Sequence, residues 1–253
     1  MPHWPVRAAP RATRLKPPDA GRTALRPRDA ATLIIVRRDA TAKPRVLMGK
    51  RHASHAFMPN KFVFPGGRVD PADCRVEPIA DLDPLVRDKL MARMRGAATP
   101  ARARGLAMAA IRETFEEVGI IIGRSVNEQR PSSRSSSWRA FLETGHRPDL
   151  SAMRLFARAI TPPGRPRRFD TRFFIAEASA AVNLDQPARA ASEELLDPYW
   201  VTIDEARGLD LPSITRDILH RLDLALATPS PFDPAAPLTF QYWRGRSWQY
   251  DTI

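Results

Sequence analysis

The stretch Arg112-Glu113-Thr114-Phe115-Glu116-Glu117-Val118-Gly119 decides how this sequence is read. At about 100° per residue on a helix, Ala107, Ile111, Phe115 and Val118 form one apolar face, and Glu113, Glu116 and Glu117 gather on the opposite one. Thr99-Pro100 supplies an N-cap and a first helical residue, and Gly119 a C-terminal cap, so a helix is predicted over 100–118, with Gly105 weakening its first turns. Glu116 and Glu117 fall in the last turn, where the helix dipole disfavours anions, and like charges three and four residues apart repel. Arg112 can neutralise Glu116 at i+4 but not all three carboxylates. A solvated acidic face is the plain reading of such a helix taken alone. A tight oxygen-only cluster is also what a hard divalent cation takes, Mg²⁺ above all.

Upstream, Ala31 to Val36 and Arg45 to Lys50 are apolar, β-branched runs around a polar loop and predict an antiparallel strand pair. Lys61-Phe62-Val63-Phe64 predicts a short strand stopped by Pro65-Gly66-Gly67, where two glycines allow tight backbone or close approach to a ligand. A sharp turn offering a carbonyl oxygen beside a carboxylate helix completes a metal site, and the combination is far more specific than either half. Leu82, Val86, Leu90 and Met94 recur at four-residue spacing and predict an amphipathic helix, here read as an excursion from the core spanning 74–104. Downstream, residues 130–137 read as a flexible link. Thr171 to Ala176 and Trp200 to Ile203 read as strands, Asp204 to Arg207 as a helical turn, and Ile214 to Ala227 as a last amphipathic helix.

The 253 residues suit one α/β domain with an insertion and tails, and 43% hydrophobic content is enough for a core. One cysteine, Cys74, rules out an internal disulfide, and the longest apolar runs, Leu33 to Val36 and Ile120 to Ile122, are too short for a membrane span. A soluble protein of a reducing compartment, the cytoplasm, is expected. The net charge is +12, and residues 1–28 hold seven basic residues against Asp19 alone, so 7 − 1 = +6 lies in a basic, Pro-rich N-terminal tail. Charge concentrated in a tail argues against nucleic acid as the partner. The end of the chain, 228–253, reads as an aromatic tail that docks on the core or on a second copy, leaving a homodimer open.

The fixed positions from Arg112 to Ile120, with Phe-Pro-Gly-Gly at 64–67, resemble the Nudix hydrolase box, G-x5-E-x7-R-E-U-x-E-E-x-G-U with U apolar. The family separates that Gly from that Arg by 14 positions; here 112 − 67 = 45, so 45 − 14 = 31 extra residues interrupt the box. Counting forward from Gly67 puts the first box Glu at Asp73; counting back from Arg112 puts it at Arg104. The interruption, with His55-Ala56-Phe57-Met58-Pro59 ahead of it, looks most like the subgroup containing peroxisomal coenzyme A diphosphatase.

The resemblance covers roughly 29–227 and implies an α/β (α+β) sandwich, helices on both sides of a mixed sheet, with a helical insertion inside the box. It implies a hydrolase that cleaves the diphosphate bond of a nucleoside diphosphate linked to another moiety: coenzyme A-like, nucleotide sugar, ADP-ribose or dinucleotide. Gly67, Glu113, Glu116 and Glu117 would hold Mg²⁺ or Mn²⁺, with Arg112 orienting a carboxylate. The general base would be Glu113, or Glu193 on a later loop. Gly66, Arg51 and Lys61 are the candidate substrate contacts, with His52 and His55 as further ones; two histidines alone make a poor zinc site. The competing expectation is an inactive Nudix domain serving as a ligand- or nucleic-acid-binding module, motivated by Asp73.

Overall fold

A computed structural model describes residues 25–39, 42–54, 58–127, 133–187, 190, 192 and 194–253. Strand β1 (Arg28–Arg37) is the axis of the molecule. Its side chains divide by the strand alternation: Ala31, Leu33 and Ile35 join one core, Ile34 and Val36 another. Buried on both faces, it reads as a near-continuous apolar run. It pairs antiparallel with β2 (Arg45–Arg51), as the sequence predicts, with Val36 opposite Val46. β3 (Phe62–Val63) follows on β2. Gly66 and Gly67 do more than stop that strand: β4 (Gly66–Arg68) pairs with β1, Thr32 opposite Gly66 and Ala31 opposite Gly67.

Helix α1 (Pro84–Met91) precedes α2 (Pro100–Val118), the carboxylate helix. The ends of α2 fall where the caps predict: the Thr99 side chain accepts from the Arg102 N–H, and Gly119, at φ 71°, donates its N–H to Phe115. Then come β5 (Gly123–Ser125), α3 (Ser136–Glu143), β6 (His146–Pro148), β7 (Arg154–Ile160), β8 (Phe169–Glu177), β9 (Leu195–Thr202), α4 (Ile203–Arg207), α5 (Ser213–Leu226), β10 (Thr239–Arg244) and β11 (Ser247–Thr252). One mixed sheet runs β11-β10-β7-β8-β1-β2-β3, with β4 also on β1 and β9 also on β2; β5 and β6 pair separately. β1 and β8 are parallel, β7 and β8 antiparallel. α1, α2 and α3 cover one face and α4 and α5 the other, the expected α/β/α layering. Among the described residues no helix is long and apolar enough to cross a membrane.

Three expectations change. Residues 74–104 do not leave the core: Leu82, Val86, Leu90 and Met94 are buried in the cluster that holds α2, because their shared apolar face finds that helix to pack on. Ser136 and Ser137, read as link, open α3, whose Trp138 and Phe141 are fully buried. The stretch read as an aromatic tail holds the β10–β11 hairpin. β10 adds to the sheet edge beside β7, and Phe240 is buried there beneath the Arg158 guanidinium, 4.2 Å from the ring centroid. The N-terminal tail lies, as far as residue 24, outside the described residues.

Candidate active site

Arg112 lies at the centre of the site, 6% exposed. Its Nε and Nη2 donate to the two carboxylate oxygens of Asp73 at 2.8 and 3.1 Å. Nη1 donates to Glu113 at 2.9 Å and Glu116 at 3.1 Å, and Nη2 also donates to the Arg68 carbonyl at 2.9 Å. Arg112 therefore holds the carboxylates at i+1 and i+4 of its own helix together with a planar, multi-donor cation that Lys could not replace. Glu117 turns the other way and accepts the Gly66 N–H at 2.9 Å.

β4 fixes the opposite wall. The Glu113 carboxyl lies so close to the Gly67 backbone that a Cβ built there would meet its atoms at 2.4 to 2.6 Å. Gly66, at φ 155°, leaves no room either: a Cβ would strike the Ala31 carbonyl at 2.5 Å. The carboxylate face is thus no solvated surface. Glu117 is 2% exposed, and one Glu116 oxygen, Oε1, is buried without a hydrogen-bond partner.

Burial has electrostatic consequences. It pushes Glu113 up to about 7, Glu116 adding to the rise and Arg112 opposing it. Burial first, then the Glu113 charge, raises Glu117 well above the usual carboxylate range; the Gly66 N–H and Arg51 oppose this. Arg112 is held above its ordinary value: burial lowers it, but the hydrogen bond to Asp73 and the charges of Glu113, Asp73 and Glu116 outweigh that.

No protein-family profile matches the chain. A curated relative, nudix hydrolase 7 of Caenorhabditis elegans, is 28% identical over 193 residues, 71% of this chain and 54% of the relative. The chain thus spans about half the length of the curated relative it matches. The crystal structure of a Nudix hydrolase from Alicyclobacillus acidocaldarius matches with a TM-score of 0.57 at 26% identity, covering 80% of this chain and 96% of that one. In sequence and in fold the chain is similar to Nudix hydrolases.

Of the two positions that the resemblance offers for the first box carboxylate, Asp73, six positions after Gly67, stands beside Arg112 and Arg104 does not. Arg104 faces away, paired with Asp81 at 2.6 Å and Glu77 at 3.2 Å. Asp73 is fully buried and spent on Arg112, the Asp70 N–H and the Trp138 indole, so it anchors the box arginine. The two ends of the interruption touch: the Cys74 sulfur lies against Gly105, where a Cβ would meet it at 2.4 Å.

Of the candidate substrate contacts, Arg51 places a positive charge that opposes the rise of Glu117, and its guanidinium stands 4.0 Å from the Glu194 carboxylate. Lys61 is held by Asp210 at 2.5 Å. His52 bonds to Ser54, while His55 and Glu193 lie outside the described residues. The neighbouring Glu194 is the residue that sequence reasoning missed. Its negative charge raises both Glu113 and Glu117, and its carboxylate stands 4.0 Å from Arg51. It differs from Glu193 by one position on a loop with no periodicity, so no local signal could choose between them.

A divalent ion is tested by the donors themselves. As they stand, no three Asp, Glu, His or Cys side chains among the described residues converge to hold an ion: Arg112 bridges Glu113 and Glu116, and Glu117 faces Gly66. The donor set nevertheless suits one. Glu116 keeps a buried oxygen without a partner, and burial raises Glu113 and Glu117, with neighbouring carboxylates adding to the rise, which a bound cation would relieve.

Proposed function

We propose that the chain is a divalent-metal-dependent hydrolase of the diphosphate bond in a nucleoside diphosphate linked to another moiety. The observation that carries this is the buried carboxylate set of the box helix, with Glu113 laid on the Gly67 backbone and a Glu116 oxygen left without a donor. Solvated helix faces have neither feature. Glu113, Glu116, Glu117 and the Gly67 carbonyl would hold Mg²⁺ or Mn²⁺; when bound, the ion supplies charge neutralisation of the diphosphate and activation of water.

The chain's own residues do the rest. Glu113, whose carboxyl lies on the Gly67 backbone, would accept a proton from the attacking water. Arg112 keeps Glu113 and Glu116 on one side of the helix and is itself fixed by Asp73. Arg51 supplies positive charge beside Glu117 for a phosphate oxygen. The inactive-module reading rested on Asp73; the hydrogen bonds of that residue to Arg112 support an anchoring role for it and so favour the hydrolase.

The test is a panel of coenzyme A-like, nucleotide-sugar, ADP-ribose and dinucleotide diphosphates assayed with and without Mg²⁺ or Mn²⁺, with products identified. Metal-dependent release of a phosphorylated nucleoside product is expected; no turnover across the panel would refute the proposal. The same ions should raise the thermal midpoint, because a ligand of the native state stabilises it by mass action. Glu116→Gln and Glu117→Gln should each lose most of that rise.

A further inference from the structure

The box accounts for Arg112 and its glutamates but not for what fixes the arginine's own anchor. Asp73 is shorter by one methylene than the Glu of the family pattern, and it is fully buried. It is brought to Arg112 by a one-turn 3-10 helix, Pro71–Cys74, in which Asp70 and Asp73 cap each other. Four donors then surround its carboxylate: Arg112 Nε and Nη2, the Asp70 N–H at 2.7 Å, and the Trp138 indole Nε1–H, which donates to Oδ1 at 2.8 Å. Trp138 comes from α3, outside the box, 65 positions along the chain, and is itself fully buried. Its ring meets Phe141 edge-on at 5.5 Å, and Phe141 meets Phe115 of the box helix at 5.2 Å. The same oxygen, Oδ1, takes both the Trp138 and the Arg112 Nε hydrogens, so the indole fixes the direction in which Asp73 presents its carboxylate to Arg112.

We propose that Trp138 is a positioning residue of the carboxylate site: its indole N–H orients Asp73, Asp73 orients Arg112, and Arg112 sets the spacing of Glu113 and Glu116. This rests on the reading of those glutamates as the divalent-metal site. Partners beyond the ligands tune ligand geometry, and losing one characteristically weakens metal affinity or activity. An indole serving only as packing would contribute its ring and not its hydrogen.

The experiment separates the two by replacing Trp138, in the full chain, with β-(3-benzothienyl)alanine, which keeps the bicyclic shape and puts sulfur where the N–H was. Mn²⁺ affinity, measured by calorimetry without substrate, should fall about 10-fold, the scale of such second-layer losses. Turnover should fall by a similar factor with the KM of the diphosphate substrate little changed. Asp73→Asn should also weaken Mn²⁺ binding, and adding the Trp138 change to it should cost little more, because both act on one chain of contacts.

A second readout needs no variant to fold well. In the ¹⁵N-labelled parent chain, the indole resonance assigned to Trp138 from its through-space contacts with the Phe141 ring should move when Mg²⁺ is added. Mn²⁺ affinity within twofold of the parent, an unmoved indole resonance at saturating Mg²⁺, or losses that simply add would each overturn the proposal. So would a parent chain that binds no Mn²⁺. If Mn²⁺ affinity responds as expected but no diphosphate is hydrolysed, the hydrolase reading fails and the positioning role stands.

Discussion

Glu113 carries two predictions because its environment is uneven. Gln keeps its size but cannot accept a proton, so Glu113→Gln should lower turnover about 10²-fold or more, the scale of general-base loss. Glu193→Gln should cost far less if Glu113 is the base; a larger loss at Glu193 would move the base to the loop. The second prediction concerns stability. The folded-state value of Glu113, about 7, lies above its ordinary 4.5, so between these pH values the folded chain binds the extra proton. Stability of the metal-free chain should therefore fall as pH rises through that window, and Glu117, also raised, adds to the slope. Chemical denaturation with a chelator at pH 5 and pH 8 should show a smaller difference for Glu113→Gln than for the parent; equal differences would show that the shift is wrong. At Gly67 the three atoms nearest the added methyl of Gly67→Ala all belong to the movable end of Glu113. Folding should survive that change with little loss in thermal midpoint, while Mn²⁺ affinity drops because the carboxyl is expelled from the backbone.

Among the elements, α1 does not behave as an appendage. Its Val86 and Leu90 are buried against α2, and Lys89 donates to the carbonyls of Pro234 at 2.7 Å and Ala236 at 2.6 Å on the segment leading to β10. Arg93, just past its end, pairs with Asp251 on β11 and lies over the rings of Phe240 and Tyr242. Two pieces of chain that the sequence assigns to an excursion and a tail thus hold each other across the end of the sheet. Leu90→Ala should destabilise the whole domain by about 2–5 kcal/mol, as core Leu truncations do. Urea unfolding that moved by less than about 0.5 kcal/mol, within the usual range of surface substitutions, would return this helix to the status of an excursion.

At the scale of the molecule, the two layers are tied at one end by buried charge. Arg158 and Arg172 both reach Asp170, at 2.7 and 3.0 Å. Arg172 and Arg102 both reach Asp29, at 3.1 and 2.6 Å. The network links β7, β8, β1 and the first turn of α2, and Arg102 also donates to the carbonyls of Arg95 and Ala97. Three guanidiniums share two carboxylates, and burial pulls Arg172 below its ordinary value although Asp170 opposes this. Removing one carboxylate leaves buried cations uncompensated, so Asp170→Asn should cost about 3–5 kcal/mol in denaturant titration. A loss under about 1 kcal/mol, the range of exposed pairs, would mean that water already screens the cluster.

The sequence by itself determined the box helix to the residue, because caps at Thr99 and Gly119 and a helical apolar period are local signals. It determined the β1–β2 pair and the α/β class for the same reason, and it gathered Glu113, Glu116 and Glu117 on one helix. Only the tertiary structure decided that those carboxylates are buried, that Asp73 anchors Arg112, that Glu194 stands near them, and that Trp138 closes the set. β10 likewise became a strand only by finding the free edge of β7. Each of these depends on a partner far along the chain, and neither spacing nor propensity encodes which distant group will supply the missing hydrogen bond, charge or sheet edge.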